Sequence, residues 1–257
     1  MPTRDTPWPA GTPCWADLAV PDLPKAVEFY SAVLGWSLVD SGEEYGHYHM
    51  AQVNGRSAAG VGPIMSEGQP SYWTLYIASD DTDATAKLVG EHGGNVVMAP
   101  MDVPGTGRMC IASDPTGGVF GVWQAAGAVG AEHYNEPGGI VWEDGRLTDV
   151  EAGRRFYTDV FGWSYAQVGD MPIEDYATFS HGGDPLGGVG GMMGAPEGTP
   201  SHWVVYFGST DVDRAIATAE QQGGSVMMPA TDTPFGRMGV IQDPFGAMFA
   251  VHQPPAS

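Results

Sequence analysis

The chain contains the same set of sequence motifs twice and in the same order, and this repeat constrains its fold more than any other feature. The stretch F-Y-S-A-V-L-G-W-S at 29–37 matches F-Y-T-D-V-F-G-W-S at 156–164, an offset of 127 residues. Later in the chain, Trp73 matches Trp203 at an offset of 130, and Asp114 matches Asp243 at 129. Both halves therefore match from end to end with small insertions in loops, as expected of a duplicated domain.

The repeat divides the 257 residues into two parts. We predict a first domain at 1–124, a linker at 125–139 and a second domain at 140–257. The linker is rich in Ala, Gly and Glu, a composition typical of a segment between domains. Each half is long enough to bury a core.

Composition limits the partners and the compartment. The formal charge of −21, from 31 acidic and 10 basic residues, repels phosphate backbones and anionic lipid, so nucleic acid and membrane are not expected partners. No apolar run approaches the ~20 residues of a membrane helix. Cys14 and Cys110 form no disulfide framework, and the N-terminus shows no signal-peptide pattern, so a cytoplasmic protein is expected.

The order of elements is the same in both halves. A strand at Cys14 to Val20 precedes a helix with apolar residues at helical spacing that ends at Gly35, and its copy runs from Asp149 to Gly162. Three short strands follow each helix, and a second, shorter cycle then repeats the pattern. Each half is therefore predicted to hold two strand-helix-three-strand (βαβββ) units.

These motifs together resemble a known superfamily. The four βαβββ units, the F-Y-x-x-V-[LF]-G-W helix ends, the Gly-Gly after each second helix and the D-P-x-G turns are similar to the vicinal oxygen chelate superfamily, which includes glyoxalase I, bleomycin-resistance proteins and extradiol dioxygenases. The chain looks most like two-domain actinobacterial members labelled as hydroxylases in antibiotic-producing bacteria. The resemblance implies an α+β fold of two tandem glyoxalase/bleomycin-resistance-type domains, each a cupped sheet with helices outside.

The resemblance also indicates where metal-using relatives place their ligands. The first half presents Trp15, Gly60, Tyr72 and Gly121 at those positions, and the second presents Trp142, Gly188, His202 and Ala250. A divalent metal needs several converging oxygen or imidazole donors, and only His202 supplies one. We therefore expect no metal and no other cofactor.

The same substitutions predict the shape and the lining of the site. Gly and Ala in place of carboxylates empty volume, while Trp and Tyr in place of histidines line that volume with flat apolar faces. We expect an aromatic-walled cup in each half for a planar, mostly apolar molecule, with Trp15, Tyr72, Trp123 and Trp142 in contact with it. The alternative is that these aromatic side chains simply fill the former site as core.

Two histidines are candidates for proton transfer. His202 and His252 fall on the strands of the second half that carry ligands in metal-using relatives, and imidazole titrates near neutral pH, so they could form a general acid/base pair. Their counterparts in the first half are Tyr72 and Trp123. The simpler alternative is that both histidines line or rim the cup without a catalytic role.

Four charged residues are further candidates for ligand contact. Arg108 and Arg237 occur in matching G-R-M contexts and could hold a carboxylate or phenolate, although ion pairs with Asp102 and Asp232 are the simpler expectation. Asp17 and Asp144 follow Trp15 and Trp142 by two residues, so strand alternation lets them face the same cup, where one could orient a hydroxyl. Solvated strand ends are the alternative.

The expected function is a metal-independent small-molecule protein that binds an aromatic or polyketide-like metabolite, in natural-product tailoring as a hydroxylase-, isomerase- or lyase-like protein. If the protein is an enzyme, we expect it to catalyse its reaction without a metal. The alternatives are a sequestering resistance protein and a metal-dependent glyoxalase or dioxygenase. We expect a monomer or a homodimer.

Overall fold

The computed structural model describes residues 3–66, 68–172 and 174–255. In the first half the elements are β1 Pro13–Val20, α1 Leu23–Leu34, β2 Ser37–Asp40, β3 His49–Val53, β4 Arg56–Pro63, β5 Trp73–Ala78, α2 Thr82–Glu91, β6 Asn95–Val103, β7 Gly107–Ser113 and β8 Val119–Ala125. In the second half they are β9 Ile140–Arg146, α3 Val150–Phe161, β10 Ser164–Gln167, β11 Tyr176–Ser180, β12 Gly187–Gly190, β13 His202–Gly208, α4 Val212–Gln221, β14 Ser225–Thr233, β15 Gly236–Gln242 and β16 Met248–Gln253. None of the helices among these described residues is both long and apolar enough to span a membrane.

Each half forms one eight-stranded sheet. The strand order is β2-β3-β4-β1-β5-β8-β7-β6 in the first half and β10-β11-β12-β9-β13-β16-β15-β14 in the second. In both sheets the first strands of the two βαβββ units pair antiparallel at the centre, β1 with β5 and β9 with β13. The predicted α+β architecture of tandem cupped sheets is confirmed. The proposed domain boundaries themselves stay a prediction.

The helix that carries the repeated motif is delimited identically in both halves. The side chain of Asp22 accepts a hydrogen bond from the backbone N–H of Lys25 at the start of α1, and Asp149 does the same for Ala152 in α3. Gly35 and Gly162 end the helices in the left-handed conformation, at φ 72° and 71°. These caps are the helix start and stop expected from the sequence.

The largest core cluster draws side chains from both halves. Phe207 of β13 contacts Trp36 and Trp73 of the first half. The centroid of its ring lies 5.0 Å from the ring centroid of each tryptophan. The indole N–H of Trp36 donates to the carbonyl of Gly138 at 2.7 Å. Because these aromatic contacts bury side chains of one half against the other, the two sheets share one interior.

The two sequence motifs meet across the halves. Tyr30 of the helix motif in the first half donates its hydroxyl to Asp243 of the second-half D-P-x-G turn at 2.8 Å. Tyr157 donates reciprocally to Asp114 of the first half at 2.9 Å. Both bonds are buried, and burial raises the pKa of Asp243. Each aspartate also accepts backbone N–H groups of its own turn, so one carboxyl group shapes the turn and attaches the opposite half.

Removal of one of these hydroxyl groups is expected to destabilise the whole protein. Tyr30→Phe leaves the buried Asp243 carboxyl and the Trp73 indole N–H without their partner, which costs about 2–3 kcal/mol of the free energy of unfolding. Tyr45→Phe, at an exposed tyrosine, is the control and stays within about 0.5 kcal/mol of the parent. Urea unfolding followed by circular dichroism measures both. An unchanged Tyr30→Phe midpoint would contradict the role given to this bond.

Candidate functional site

The concave face of the first sheet is centred on Asp17. On β1, Ala16 and Leu18 belong to the shared core, whereas Trp15 packs in a separate cluster with Tyr76, Tyr48 and Trp123. Asp17, two residues after Trp15, accepts hydrogen bonds from the hydroxyls of Tyr76 at 3.1 Å and Tyr48 at 3.4 Å. The indole N–H of Trp15 donates to the Tyr48 hydroxyl at 3.0 Å. We call these four residues the Asp17 cluster.

Burial changes the acid–base chemistry of this cluster. Loss of solvation raises the pKa of Asp17 to about 7, although the hydrogen bonds from Tyr76 and Tyr48 act in the opposite direction. The pKa of both tyrosine hydroxyls is raised well above its ordinary value, chiefly by burial and then by the charge of Asp17. Asp17 is therefore a carboxyl group that can both hold and release a proton near neutral pH.

The second sheet carries the equivalent cluster around Asp144. The carboxylate of Asp144 accepts from Tyr176 at 2.7 Å, Tyr206 at 2.9 Å and the Trp142 indole at 3.1 Å. It also pairs with the guanidinium of Arg146 at 2.6 Å. We call Trp142, Asp144, Tyr176 and Tyr206 the Asp144 cluster. Arg146 follows Asp144 by two residues, and the residue two after Asp17 is Ala19. The two cups thus share an Asp-Tyr-Tyr-Trp set. They differ in the tryptophan, which donates to Tyr48 in the first cup and to Asp144 in the second, and in Arg146, which has no counterpart beside Asp17.

The glycines at the former ligand positions do not leave empty volume, which corrects one expectation. A Cβ atom at Gly60 would collide with the Tyr48 hydroxyl, one at Gly121 with the Tyr76 ring, and one at Gly188 with the Tyr176 hydroxyl. The tyrosines of the neighbouring strands occupy the space that the missing side chains vacate. What the sequence predicts as cavity is partly filled by the polar ends of these rings.

The donors at the centre of the first cup do not fit a divalent metal. Asp17 is the one carboxylate of its cluster, and the neighbouring oxygens are tyrosine hydroxyls whose pKa is raised, so they stay protonated. A metal site needs several deprotonated or neutral-imidazole donors. Across the part of the chain that the structure describes, no group of three or more His, Cys, Asp or Glu side chains could hold a metal ion.

The structure places the predicted aromatic contacts at the two cups. Trp15 is buried in the cluster of the first cup, and Trp123 packs against it while its indole donates to the Ala128 carbonyl at 3.0 Å. Tyr72 is 39% exposed, and its pKa is raised by burial and by the charge of Asp17, which places it near this carboxyl at the rim. Trp142 lies in the second cup beside Asp144. Ligand contact by these side chains stays a prediction.

The two predicted catalytic histidines do not lie together. His252 lies opposite Gly208 on the neighbouring strand, whereas His202 begins β13, so about 20 Å of strand separates them. His202 lies directly opposite Arg146 at the rim of the second cup, with Nδ1 2.9 Å from the Pro200 carbonyl. His252 Nε2 lies 2.9 Å from the Phe235 carbonyl. A joint acid/base role has no geometric support, and a separate role for each stays a prediction.

Arg108 and Arg237 lie away from the cup clusters. Arg108 pairs with Asp83 of α2 and Asp102 of β6, each at 2.7 Å. Arg237 pairs in the same way with Asp213 of α4 at 2.7 Å and Asp232 of β14 at 2.8 Å. The hairpin ion pairs expected from the sequence are present, each with a helix aspartate in addition. These contacts place both guanidinium groups on the helix side of their sheets, so the structure does not place them to hold a ligand in the cups.

Sequence reasoning missed the tyrosines of both clusters. The sequence analysis does not identify four tyrosines as site residues, namely Tyr48, Tyr76, Tyr176 and Tyr206. It does not identify Arg146 as a site residue either. A signal was available, since Tyr48 aligns with Tyr176 and Tyr76 with Tyr206 at offsets of 128 and 130. Both copies of the repeat retain them together with Trp15/Trp142 and Asp17/Asp144.

The fold and the site define a protein with two cupped sheets in tandem, each built from two βαβββ units. Comparison with known proteins identifies the family. A family model described as the Glyoxalase/Bleomycin resistance protein/Dioxygenase superfamily matches residues 14–122 and 146–251. The chain belongs to this superfamily.

The relatives at higher identity come from actinobacteria. The chain is 36% identical over 261 residues to "Putative glyoxylase CFP32" of Mycobacterium tuberculosis, covering 99% of this chain and 98% of the relative. It is 35% identical over 256 residues to "Anthracycline biosynthesis protein DnrV" of Streptomyces peucetius, covering 94% of this chain and 92% of the relative.

Solved structures share the fold at much lower identity. The Mn(II)-bound glyoxalase from Novosphingobium aromaticivorans superposes with a TM-score of 0.65 at 16% identity, covering 95% of this chain and 82% of that one. The 2,2',3-trihydroxybiphenyl 1,2-dioxygenase from Sphingomonas wittichii strain RW1 gives 0.64 at 14% identity, covering 95% and 91%. These likenesses concern the fold alone.

A methyl group at Gly60 is expected to disrupt the Asp17 cluster. Gly60→Ala forces the Tyr48 hydroxyl off Asp17 and Trp15, with an expected loss of about 1–3 kcal/mol in the free energy of unfolding. Gly90→Ala, where an added Cβ meets open space in α2, is the matched control and is neutral or stabilising. Thermal unfolding of the two variants checks this, and equal effects would show that Tyr48 does not need the space above Gly60.

Ionisation of Asp17 is expected to lower stability as pH rises. Its pKa increases from 3.8 to about 7 on folding, so the folded protein binds more protons than the unfolded chain between these pH values. Asp17→Asn removes this cost. The gain in free energy of unfolding over the parent therefore grows from pH 4 to pH 7 and levels off above, reaching at most ~4 kcal/mol.

The exposed Asp184→Asn serves as the control, with a difference near zero at every pH. Urea titrations at pH 4, 5.5, 7 and 8.5 give the comparison. A difference between Asp17→Asn and the parent that does not change with pH would show that Asp17 titrates normally.

Proposed function

We propose that this chain binds an aromatic or polyketide-like metabolite in the first cup and transfers a proton on it through Asp17, without a metal, in natural-product tailoring. The observation that carries the proposal is the Asp17 carboxyl itself, which two tyrosine hydroxyls hold in place and whose pKa is raised to about 7. A positioned acid or base works best when its pKa lies near the operating pH.

The first cup is favoured over the second because its carboxyl remains reactive. Asp144 is only 3% exposed, and protein donors bond to both of its oxygens, Arg146 to one and Tyr176 to the other. Asp17 is partly exposed and has no basic hydrogen-bonding partner among the described residues. Asp17 is therefore the carboxyl group that a bound molecule can reach.

The wall of the first cup supports an aromatic ligand. Partly buried Trp123, Met50, Met109 and Ile111 pack around Trp15 and Tyr76. Flat aromatic faces favour stacking with a planar ring system, and methionines adapt to its outline. A molecule lying on this wall would present its polar edge to Asp17.

The chemistry that these residues can perform is proton transfer. The ionised Asp17 takes a proton from a ligand carbon that is conjugated with a carbonyl group, and the protonated Asp17 returns it to another atom of the ligand. The electron pair of the broken C–H bond moves into the carbonyl, so no oxidant or reductant is consumed. The arrangement thus supports an isomerase- or lyase-like reaction better than a hydroxylation, which would need dioxygen and a reductant.

The relatives supply the context. DnrV is named as an anthracycline biosynthesis protein, and at 35% identity over nearly the whole chain it supports a role in natural-product tailoring. CFP32 is named as a glyoxylase, which keeps a small carbonyl compound as a possible substrate class. The specific ligand is part of the proposal.

The proposal is tested with 1,8-dihydroxyanthrone, a planar aromatic polyketide with an acidic C–H group, under nitrogen in D₂O. We expect the protein to accelerate deuterium incorporation at this carbon, and Asp17→Asn to lose about 10²-fold or more of the rate. Asp144→Asn is the matched control from the equivalent cluster and keeps the rate within about threefold. The rate should rise with pH to a midpoint near 7.

Three results would contradict the proposal. Binding of the probe, seen as tryptophan quenching, without exchange would indicate a sequestering resistance protein. A stoichiometric divalent metal in protein purified without a tag, with activity lost to a chelator, would indicate a metal-dependent glyoxalase or dioxygenase. Equal losses in Asp17→Asn and Asp144→Asn would remove the distinction between the cups.

A further inference from the structure

A cavity outside the centres of both cups lies where the two halves meet. Its volume is about 140 Å³, and its lining includes Trp8 and Cys14 from the first half and Trp142 and Glu143 from β9. Strand β12 begins only at Gly187 and pairs with β9 from Asp144 onward, so the first residues of β9 extend past it. Pro185 and Leu186 line the remaining side. A dry cavity of similar size admits a molecule of about six heavy atoms such as benzene.

Glu143 is the unusual residue of this cavity. It is 7% exposed, and no described residue donates a hydrogen bond to its carboxyl group or forms an ion pair with it. Burial, followed by the charge of Asp144, raises its pKa to about 8. The oxygens of Glu143 are not among the fully enclosed side-chain atoms that lack a hydrogen-bond partner, so they face the open space of the cavity.

The rest of the lining is suited to a cation. Trp8, Tyr134 and Trp142 are aromatic, and no Lys, Arg or His is among the described residues of the lining. Trp8 already binds one cation, the Arg4 guanidinium, 4.5 Å from its ring centroid. Aromatic faces around a carboxylate are the usual environment for an organic ammonium group. The formal charge of −21 raises the local concentration of cations further.

We propose that this cavity is a binding site for a small organic ammonium ion, with Glu143 as its counter-ion and Tyr134 as its aromatic contact. The site is separate from the Asp17 cluster, and the proposal does not depend on the function assigned to the first cup. It is linked to the second cup through Trp142, whose indole donates to Asp144 at 3.1 Å. Asn135 lines the cavity and is exposed, so the cavity reaches the surface.

The proposal predicts that binding depends on the positive charge of the ligand. Tetramethylammonium chloride and tert-butanol have similar shapes and differ in charge, and sodium chloride at equal ionic strength controls for salt. The indole N–H signals of Trp8 and Trp142 in proton–nitrogen NMR spectra report occupation of the cavity. We expect saturable shifts with tetramethylammonium and none with tert-butanol or sodium chloride over the same concentrations.

Variants assign the binding to Glu143. Glu143→Gln is expected to weaken tetramethylammonium at least about tenfold, whereas Glu136→Gln, a nearby glutamate outside the cavity, leaves it unchanged. Tyr134→Leu provides a second variant at the partly exposed edge and weakens binding about threefold or more. Affinity for tetramethylammonium should also rise between pH 6.5 and pH 9 in the parent.

The pH dependence belongs to Glu143 because the other facing groups do not follow it. Cys14 on β1 stays protonated, since burial and the Glu143 charge raise its thiol pKa, and Asp144 on β9 is paired with Arg146. Equal shifts with tetramethylammonium and tert-butanol, or unchanged affinity in both Glu143→Gln and Tyr134→Leu, would overturn the proposal.

Discussion

The structure depends on a pair of reciprocal hydrogen bonds between the helix motif of each half and the D-P-x-G turn of the other. Tyr30 bonds to Asp243 and Tyr157 to Asp114, and each aspartate also shapes the turn before the last strand of its own sheet. Because both partners are buried, loss of either end leaves a polar group without water or protein to satisfy it. The bonds therefore attach two sheets that sequence alone describes as separate units, and the aromatic side chains around Trp36, Trp73 and Phe207 fill the interior between them.

With the halves fixed in this way, the duplication produces two equivalent clusters with different chemistry. Asp17 and Asp144 receive the same tyrosine and tryptophan neighbours from equivalent strands. Arg146 makes Asp144 one half of an ion pair, while Ala19 at the matching position leaves Asp17 without a cation. The two clusters therefore differ at their centre in one cation, which occupies an oxygen of Asp144 and has no counterpart beside Asp17.

Much of the fold could be predicted from the sequence because local signals determine it. Asp22 and Asp149 start their helices, Gly35 and Gly162 end them, and the repeat gives the number of βαβββ units. The site could not be predicted in the same way. Tyr48, which immediately precedes β3, and Tyr76 of β5 reach Asp17 from the two sides of β1, so their contacts depend on strand register. A glycine such as Gly60 shows only in three dimensions which ring lies above it. The separation of His202 from His252 was hidden for the same reason, since strand alternation gives the face of a sheet but not the distance along it.

The proton-transfer role rests on a single carboxyl group, that of Asp17, and direct titration of this group tests it. Carbon-detected NMR of protein with labelled aspartate, with Asp17 assigned by comparison with Asp17→Asn, follows the side-chain carboxyl signal from pH 3 to pH 9. We expect a midpoint near pH 7 for Asp17. A midpoint near pH 4, the ordinary value for an exposed aspartate, would mean that the first cup holds a permanently ionised carboxylate and would contradict the proton-transfer role given to it.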